Sequence, residues 1–176
     1  MKLAYVILPP DEVHNFMRRV QADLYERYEG SRTTLALEPH VTIKQPFEAA
    51  ELEPHEQYLE RLSEETEPFE LVMHGFGFFE QEGAVFLDVE QDPRLFALQR
   101  RVLDDLALEP AMYESEAPVP YHFHGTLATG LSAEDLSAAR EQLGDSPEFR
   151  FPLETFGLFR CTEETWTLYK RAAVTR

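Results

Sequence analysis

The chain has 176 residues, 43% hydrophobic and 12% aromatic, enough for one ordinary domain with a real core. Its 33 acidic side chains against 16 basic ones leave a formal net charge of -17, a field that repels polyanions. Long, sequence-independent nucleic-acid tracts, which need many Lys and Arg on phosphate, are therefore not expected as ligands, whereas a small phosphorylated molecule held by a few local donors is compatible with it.

In chain order, residues 3–8 (LAYVIL) read as a short buried strand ended by Pro9 and Pro10. Residues 11–28 read as an amphipathic helix, with Val13, Phe16, Met17, Val20, Leu24 and Tyr25 on one stripe and Asp11 and Glu12 at its positive end. A strand at 40–47 and a helix at about 54–65 follow. Two strands, 69–79 and 84–90, flank a Gln-Glu-Gly turn. A helix at 93–108 starts on Pro93. The segment YHFHGTLATG (121–130) reads as the next strand, and Ser132 caps a helix closed by Gly144. Residues 148–160 and 165–174 are expected as a closing strand pair. The segment 109–120, with three Pro and three Glu, is the best loop candidate. These elements predict an α+β fold.

One cysteine, Cys161, precludes an internal disulfide and fits a reducing compartment. No apolar run approaches the ~20 residues that span a bilayer, and the first residues lack the pattern of a leader. The expectation is a soluble, cytoplasmic protein with no membrane partner.

The order contains a repeat. His40-Val41-Thr42-Ile43 corresponds to His124-Gly125-Thr126-Leu127, and Phe76-Gly77-Phe78-Phe79 to Phe156-Gly157-Leu158-Phe159, at offsets of 84 and 80 residues. Two copies predict a single domain of two related halves, about 1–90 and 91–176. Of six histidines, only His40 and His124 have a Thr two positions on. Alternation along a strand then puts imidazole and hydroxyl on one face and the apolar residues on the other. Two histidines suit phosphodiester chemistry: a neutral ring takes a proton from the attacking hydroxyl or water, a charged one gives a proton to the departing alkoxide. The hydroxyls of Thr42 and Thr126 can hold the non-bridging phosphate oxygens.

Paired apolar-His-x-Thr-apolar motifs, here PHVTI and FHGTL, resemble the signature of the 2H phosphoesterase superfamily, which includes 2′-5′ RNA ligase-like proteins and cyclic nucleotide phosphodiesterases. AYVILPPDEV resembles the family's opening strand and turn, GFGFFEQEGAVFLDVE its central hairpin and TWTLYKRAAV its closing strand. The look is nearest to the bacterial YjcG-like branch. The resemblance implies a bilobal fold of two pseudo-symmetric, mostly antiparallel lobes with outer helices and a central cleft. It also implies catalysis by His40 and His124 with no metal or other cofactor, on a small nucleotide or RNA terminus bearing a 2′ or 3′ phosphate. The reaction is hydrolysis, or reversible formation, of a 2′,3′-cyclic phosphate or 2′-5′ linkage.

Several members carry Arg after the second motif, where this chain has Thr129. Lys44, two positions beyond Thr42, is expected on the same face as a replacement cation, against the alternative of a surface Lys on an edge strand. His122, on the face of His124, is a candidate substrate contact. A zinc hydrolase built on His122, His124 and His40 is a rival, weakened because no carboxylate or Cys stands at a matching spacing. Tyr121 is a candidate for stacking on a base, against ordinary core packing. The other rival is a binding module that holds a phosphorylated nucleotide without turning it over. Gly125, unusual inside a strand, points to a close backbone approach.

Overall fold

A run with apolar side chains on both faces suits a strand buried in mid-sheet, and β1 (Lys2–Ile7) takes that place, with Leu3 to Ile7 at most 5% exposed. The computed structural model describes residues 1–28, 30, 32–110, 121–163 and 165–175, so most of the expected 109–120 loop lies outside the described residues. After β1 come α1 (Asp11–Tyr28), a short α2 (Arg32–Ala36) that the pattern did not announce, β2 (Val41–Glu48), α3 (Glu53–Glu65), β3 (Glu70–Phe79) and β4 (Ala84–Val89). Then follow α4 (Pro93–Asp105), β5 (His124–Ala128), α5 (Ala133–Leu143), β6 (Phe149–Pro152), β7 (Thr155–Thr162) and β8 (Thr165–Ala173). Ser132 caps α5 as expected, accepting from the Asp135 N–H, and Pro93 opens α4 behind Asp92, whose side chain accepts from the Arg94 N–H.

The strands form one eight-stranded sheet in the order β6-β3-β4-β5-β2-β1-β7-β8, every recorded pair antiparallel. Four strands lie on either side of the β5–β2 junction. Each flank draws on both sequence halves: β1 and β2 stand with β7 and β8, and β3 and β4 with β5 and β6. The expected single strand at 148–160 is two strands on opposite flanks. Pro152 has no N–H for a ladder, Leu153 plugs the core at 0% exposure with its N–H on the Phe69 carbonyl, and the chain crosses to pair β7 with β1.

The long helices cover one face. Their buried side chains (Met17, Leu59, Leu98 and Leu136 among them) share an apolar cluster with Leu3, Tyr5 and Ile7 of β1. The other face carries a small cluster of Ala4, Val6, Leu8 and Phe159, edged by Leu37, Trp166 and Leu168. No helix among the described residues is long and apolar enough to cross a membrane.

Three glycines within the strands are set by close approach. Gly125 lies under Met17 of α1 and Met73 of β3, where a Cβ would fall 2.6 Å and 2.9 Å from their methyls, so the close approach there is by side chains and not by another backbone. On the second face Gly77 lets the Phe86 ring lie across β3, and Gly157 does the same for Val6 and Leu168. These two occupy matching places: Gly77 pairs with Phe86 and Phe86 with Thr126, while Gly157 pairs with Val6 and Val6 with Thr42. An alanine Cβ at Gly77 would stand 2.1 Å from two atoms of the nearly buried Phe86 ring, whereas at Gly157 the nearest atom is 2.9 Å away. Overpacking of this kind costs about 1–3 kcal/mol. Gly77→Ala is therefore expected to lower the urea unfolding midpoint clearly, and more than Gly157→Ala; an unshifted midpoint for Gly77→Ala would contradict this packing.

Candidate active site

The two flanks meet where Val41 of β2 pairs with Gly125 of β5. Both residues face the helices, since Val41 is 1% exposed in the main core and Gly125 sits under Met17. The antiparallel register one residue to either side sets Thr126 opposite His40 and His124 opposite Thr42, on the other face. The four motif side chains thus form a checkerboard about a local two-fold axis. Opposite side chains in such a pair are about 5 Å apart at Cβ and diagonal ones about 7–8 Å, room for one phosphate between two imidazoles. The structure brings together His40, Thr42, His124 and Thr126, as their spacing predicts.

Each ring is held in the same way. His40 Nδ1 lies 2.7 Å from the Glu38 carbonyl oxygen and His124 Nδ1 2.6 Å from the His122 carbonyl oxygen, in both cases two residues upstream. A carbonyl only accepts, so each Nδ1 carries the hydrogen and each neutral ring keeps its lone pair on Nε2. His40 stands edge-on to Phe159, with centroids 4.7 Å apart, and His124 edge-on to Phe79 at 5.1 Å. Sequence reasoning aligned Phe79 with Phe159 in the repeat but assigned neither a role. They are the walls that fix the rings.

The strands change course directly after each motif. Val6 pairs with Thr42 but Tyr5 with Lys44, so Ile43 is an extra residue; Phe86 pairs with Thr126 but Val85 with Ala128, so Leu127 is another. These matched bulges leave carbonyls for the helices above to satisfy. Gln21 of α1 donates to the Thr126 carbonyl (3.1 Å) and Gln99 of α4 to the Ile43 carbonyl (2.9 Å), both glutamines being buried. The bulge corrects one expectation. Lys44 does not share the face of Thr42: it pairs with Tyr5, is 1% exposed, and sets Nζ 5.8 Å from the centre of the Phe47 ring on the helix side. A second correction concerns Tyr121. It is 5% exposed, its hydroxyl donates to the Thr42 carbonyl (3.3 Å) and accepts from Gln45 (3.1 Å), and its ring lies against Phe123. It braces β2 from beneath and has no free ring face for a base.

His122 lies beside His124, ring centroids 6.3 Å apart, with Nε2 2.8 Å from Asp88 Oδ1. Among the described residues no three His, Cys, Asp or Glu side chains are grouped to hold a metal ion, so His122, His124 and His40 do not make the zinc site weighed above.

This sheet sets its pair of His-x-Thr strands side by side at a two-fold junction. Residues 9–164 match the 2′-5′ RNA ligase superfamily, and the chain belongs to it, a 2H phosphoesterase by its paired motifs. Membership supports a phosphoesterase activity. A protein of Geobacillus kaustophilus whose name assigns it provisionally to the phosphoesterases is 25% identical over 97% of this chain and 94% of its own. One of Bacillus cereus strain B4264, named likewise, is 28% identical over 97% and 95%. Among solved structures, a Thermus thermophilus protein superposes with a TM-score of 0.63 at 17% identity, covering 99% of this chain and 98% of that one. Escherichia coli LigT, solved in complex with 3′-AMP, gives 0.59 at 21% identity over the same shares. These likenesses bear out the α+β fold.

Burial is the largest influence on both rings. It pushes His40 down to about 4; the Glu38 carbonyl opposes the shift and the nearby His124 ring adds to it. Burial also holds His124 below the ordinary histidine range, with the His122 carbonyl and Asp88 opposing and the His122 ring adding. For His40 the folded value lies under the unfolded value near 6.5, so between the two the unfolded chain binds more protons. The stability this contributes is complete above pH 6.5 and is lost as pH falls toward 4. His40→Gln removes that slope. The difference in unfolding free energy between wild type and His40→Gln is expected to change in the variant's favour between about pH 7 and about pH 4 in urea titrations; a difference constant across that range would show that His40 is not held neutral.

Proposed function

We propose that this protein is a metal-independent phosphoesterase that opens a 2′,3′-cyclic phosphate, or cleaves a 2′-5′ phosphodiester, on a small nucleotide or RNA end. The observation that carries the reading is the mirrored pair of imidazoles, each with Nδ1 tied to a carbonyl two residues upstream and Nε2 left for substrate. A phosphate between them has a base on one side and an acid on the other, the arrangement in-line displacement needs. Water gives its proton to one Nε2 as it attacks phosphorus. The ribose oxygen leaves with the proton from the other Nε2, and a phosphomonoester remains. Thr42 and Thr126, alternating with the rings, donate to the non-bridging oxygens as charge builds on them. Run backwards, the same steps form the bond.

The fold also supports a nucleotide-sized ligand, since LigT, which shares it, was solved with 3′-AMP. The net charge of -17 favours a ligand with one or two phosphates over a long strand.

His40→Ala and His124→Ala are each expected to lower kcat on 2′,3′-cyclic AMP or a 2′-5′ dinucleotide by about 10²–10⁴-fold. Thr42→Val and Thr126→Val should each lower it by about 10²-fold, and EDTA should leave it unchanged. Full activity in both histidine variants would refute the site. Loss of activity in EDTA with recovery on zinc would refute the metal-free chemistry, and nucleotide binding without turnover would make the protein a binding module.

A further inference from the structure

The checkerboard is symmetric, but its surroundings are not. Where the chain at the end of β1 offers the apolar Leu8 to the His40 side, β4 offers Asp88, the register partner of His124. Asp88 Oδ1 accepts from the Val89 N–H and from His122 Nε2, both at 2.8 Å. A carboxylate only accepts, so His122 turns its Nε2 hydrogen toward Asp88 while its own main-chain carbonyl receives His124 Nδ1. One short segment therefore holds both the carboxylate and the ring. On the other side, the carboxylate near His40 is spoken for: Glu38, whose carbonyl holds the ring, has its Oε2 2.6 Å from Arg171 Nη2. His40 is left with Phe159 and the apolar cluster around Val6 and Leu8.

We propose that Asp88, oriented by His122, is a positioning residue that favours the proton on His124, which makes His124 the acid of the opening reaction and His40 its base. The proposal rests on the phosphoesterase reading above and adds to it a division of labour. When an anionic phosphate enters between the rings it favours one imidazolium, and the ring with a carboxylate at its back takes the proton. The ring with hydrocarbon and another histidine around it stays neutral and accepts one. Among the described residues, the titratable groups that face His124 are His122 from the preceding segment, Asp88 from β4, His40 just ahead of β2 and the Tyr121 hydroxyl, which is held by Gln45 and Thr42; β3 presents Phe79. Of these, Asp88 is the carboxylate.

The test separates the two claims. In the free protein, the imidazole C–H resonance of His124 is titrated by NMR in wild type, Asp88→Asn and His122→Gln. Asn keeps the acceptor for the Val89 N–H, and Gln keeps a donor for Asp88. The midpoint of His124 is expected to fall by about one pH unit in Asp88→Asn and to stay near wild type in His122→Gln. With 2′,3′-cyclic AMP, Asp88→Asn is expected to move the high-pH limb of kcat/KM down by the same amount. That makes turnover roughly tenfold slower above the limb, with the low-pH limb of His40 in place. A structural defect would scale the profile at every pH without moving a limb. An unmoved His124 midpoint overturns the proposal whatever the activity, and so does a shift of the low-pH limb in place of the high one. A moved midpoint in a protein that turns over none of the cyclic phosphates overturns the phosphoesterase reading, and with it the acid role, while the coupling of Asp88 to His124 stands.

Discussion

The structure turns on the pairing of Val41 with Gly125. It is the register pair recorded between the two flanks of the sheet, and the four motif side chains take their places from it. A seam this narrow follows from the bulges at Ile43 and Leu127, which turn β2 and β5 aside directly after each motif. Gly125 has no side chain for the same reason: Met17 must reach the sheet there to hold α1 against the junction. Gln21 and Gln99 complete the arrangement by satisfying carbonyls that a bulged strand would leave buried and unpaired. Backbone, helix and site are thus fixed at one crossing of two strands.

Around that crossing the repeat acts at a distance. Phe79 on β3 reaches His124 past β4, and Phe159 on β7 reaches His40 past β1. The glycines two residues earlier, Gly77 and Gly157, let the intervening side chains Phe86 and Val6 lie low enough for this. Symmetric scaffolding then carries unlike chemistry at one position on each side. Leu8 and Asp88 give one imidazole an apolar neighbour and the other an anionic one. In a fold that holds two identical rings in identical fashion, such a difference favours one ring as the proton donor and the other as the acceptor.

The candidate site was legible in the sequence because its signal is repeated. His40 with Thr42 and His124 with Thr126 stood out through their common spacing, and alternation along a strand correctly set each pair on one face. The errors have separate causes. Ile43 and Leu127 are ordinary strand formers, and nothing in their identity announces an extra residue, so counting by twos put Lys44 on the wrong face. Gln21 and Gln99 read as polar positions on amphipathic helices, and only the packing of α1 over β5 and α4 over β2 shows what they hold. Tyr121 could be placed near the motif by sequence, but its burial depends on its tertiary bonds to Gln45 and Thr42. The hairpin of β7 with β8 forms as expected, but residues 148–160 were read as one strand because Pro152 was not weighed as a strand end. In the structure it sends β6 and β7 to opposite flanks.

That interleaving bears on how the chain is made. β1 lies between β2 and β7, and β7, which starts at Thr155, comes far later in the sequence. The opposite flank closes on β6, which is made scarcely earlier. Neither flank can be completed as an early folding unit while synthesis proceeds. Strands made before their sheet neighbours leave open edges meanwhile, and a topology this rich in long-range contacts folds slowly. The abundance of acidic side chains takes on a second sense in this light, since mutual repulsion keeps such waiting chains apart.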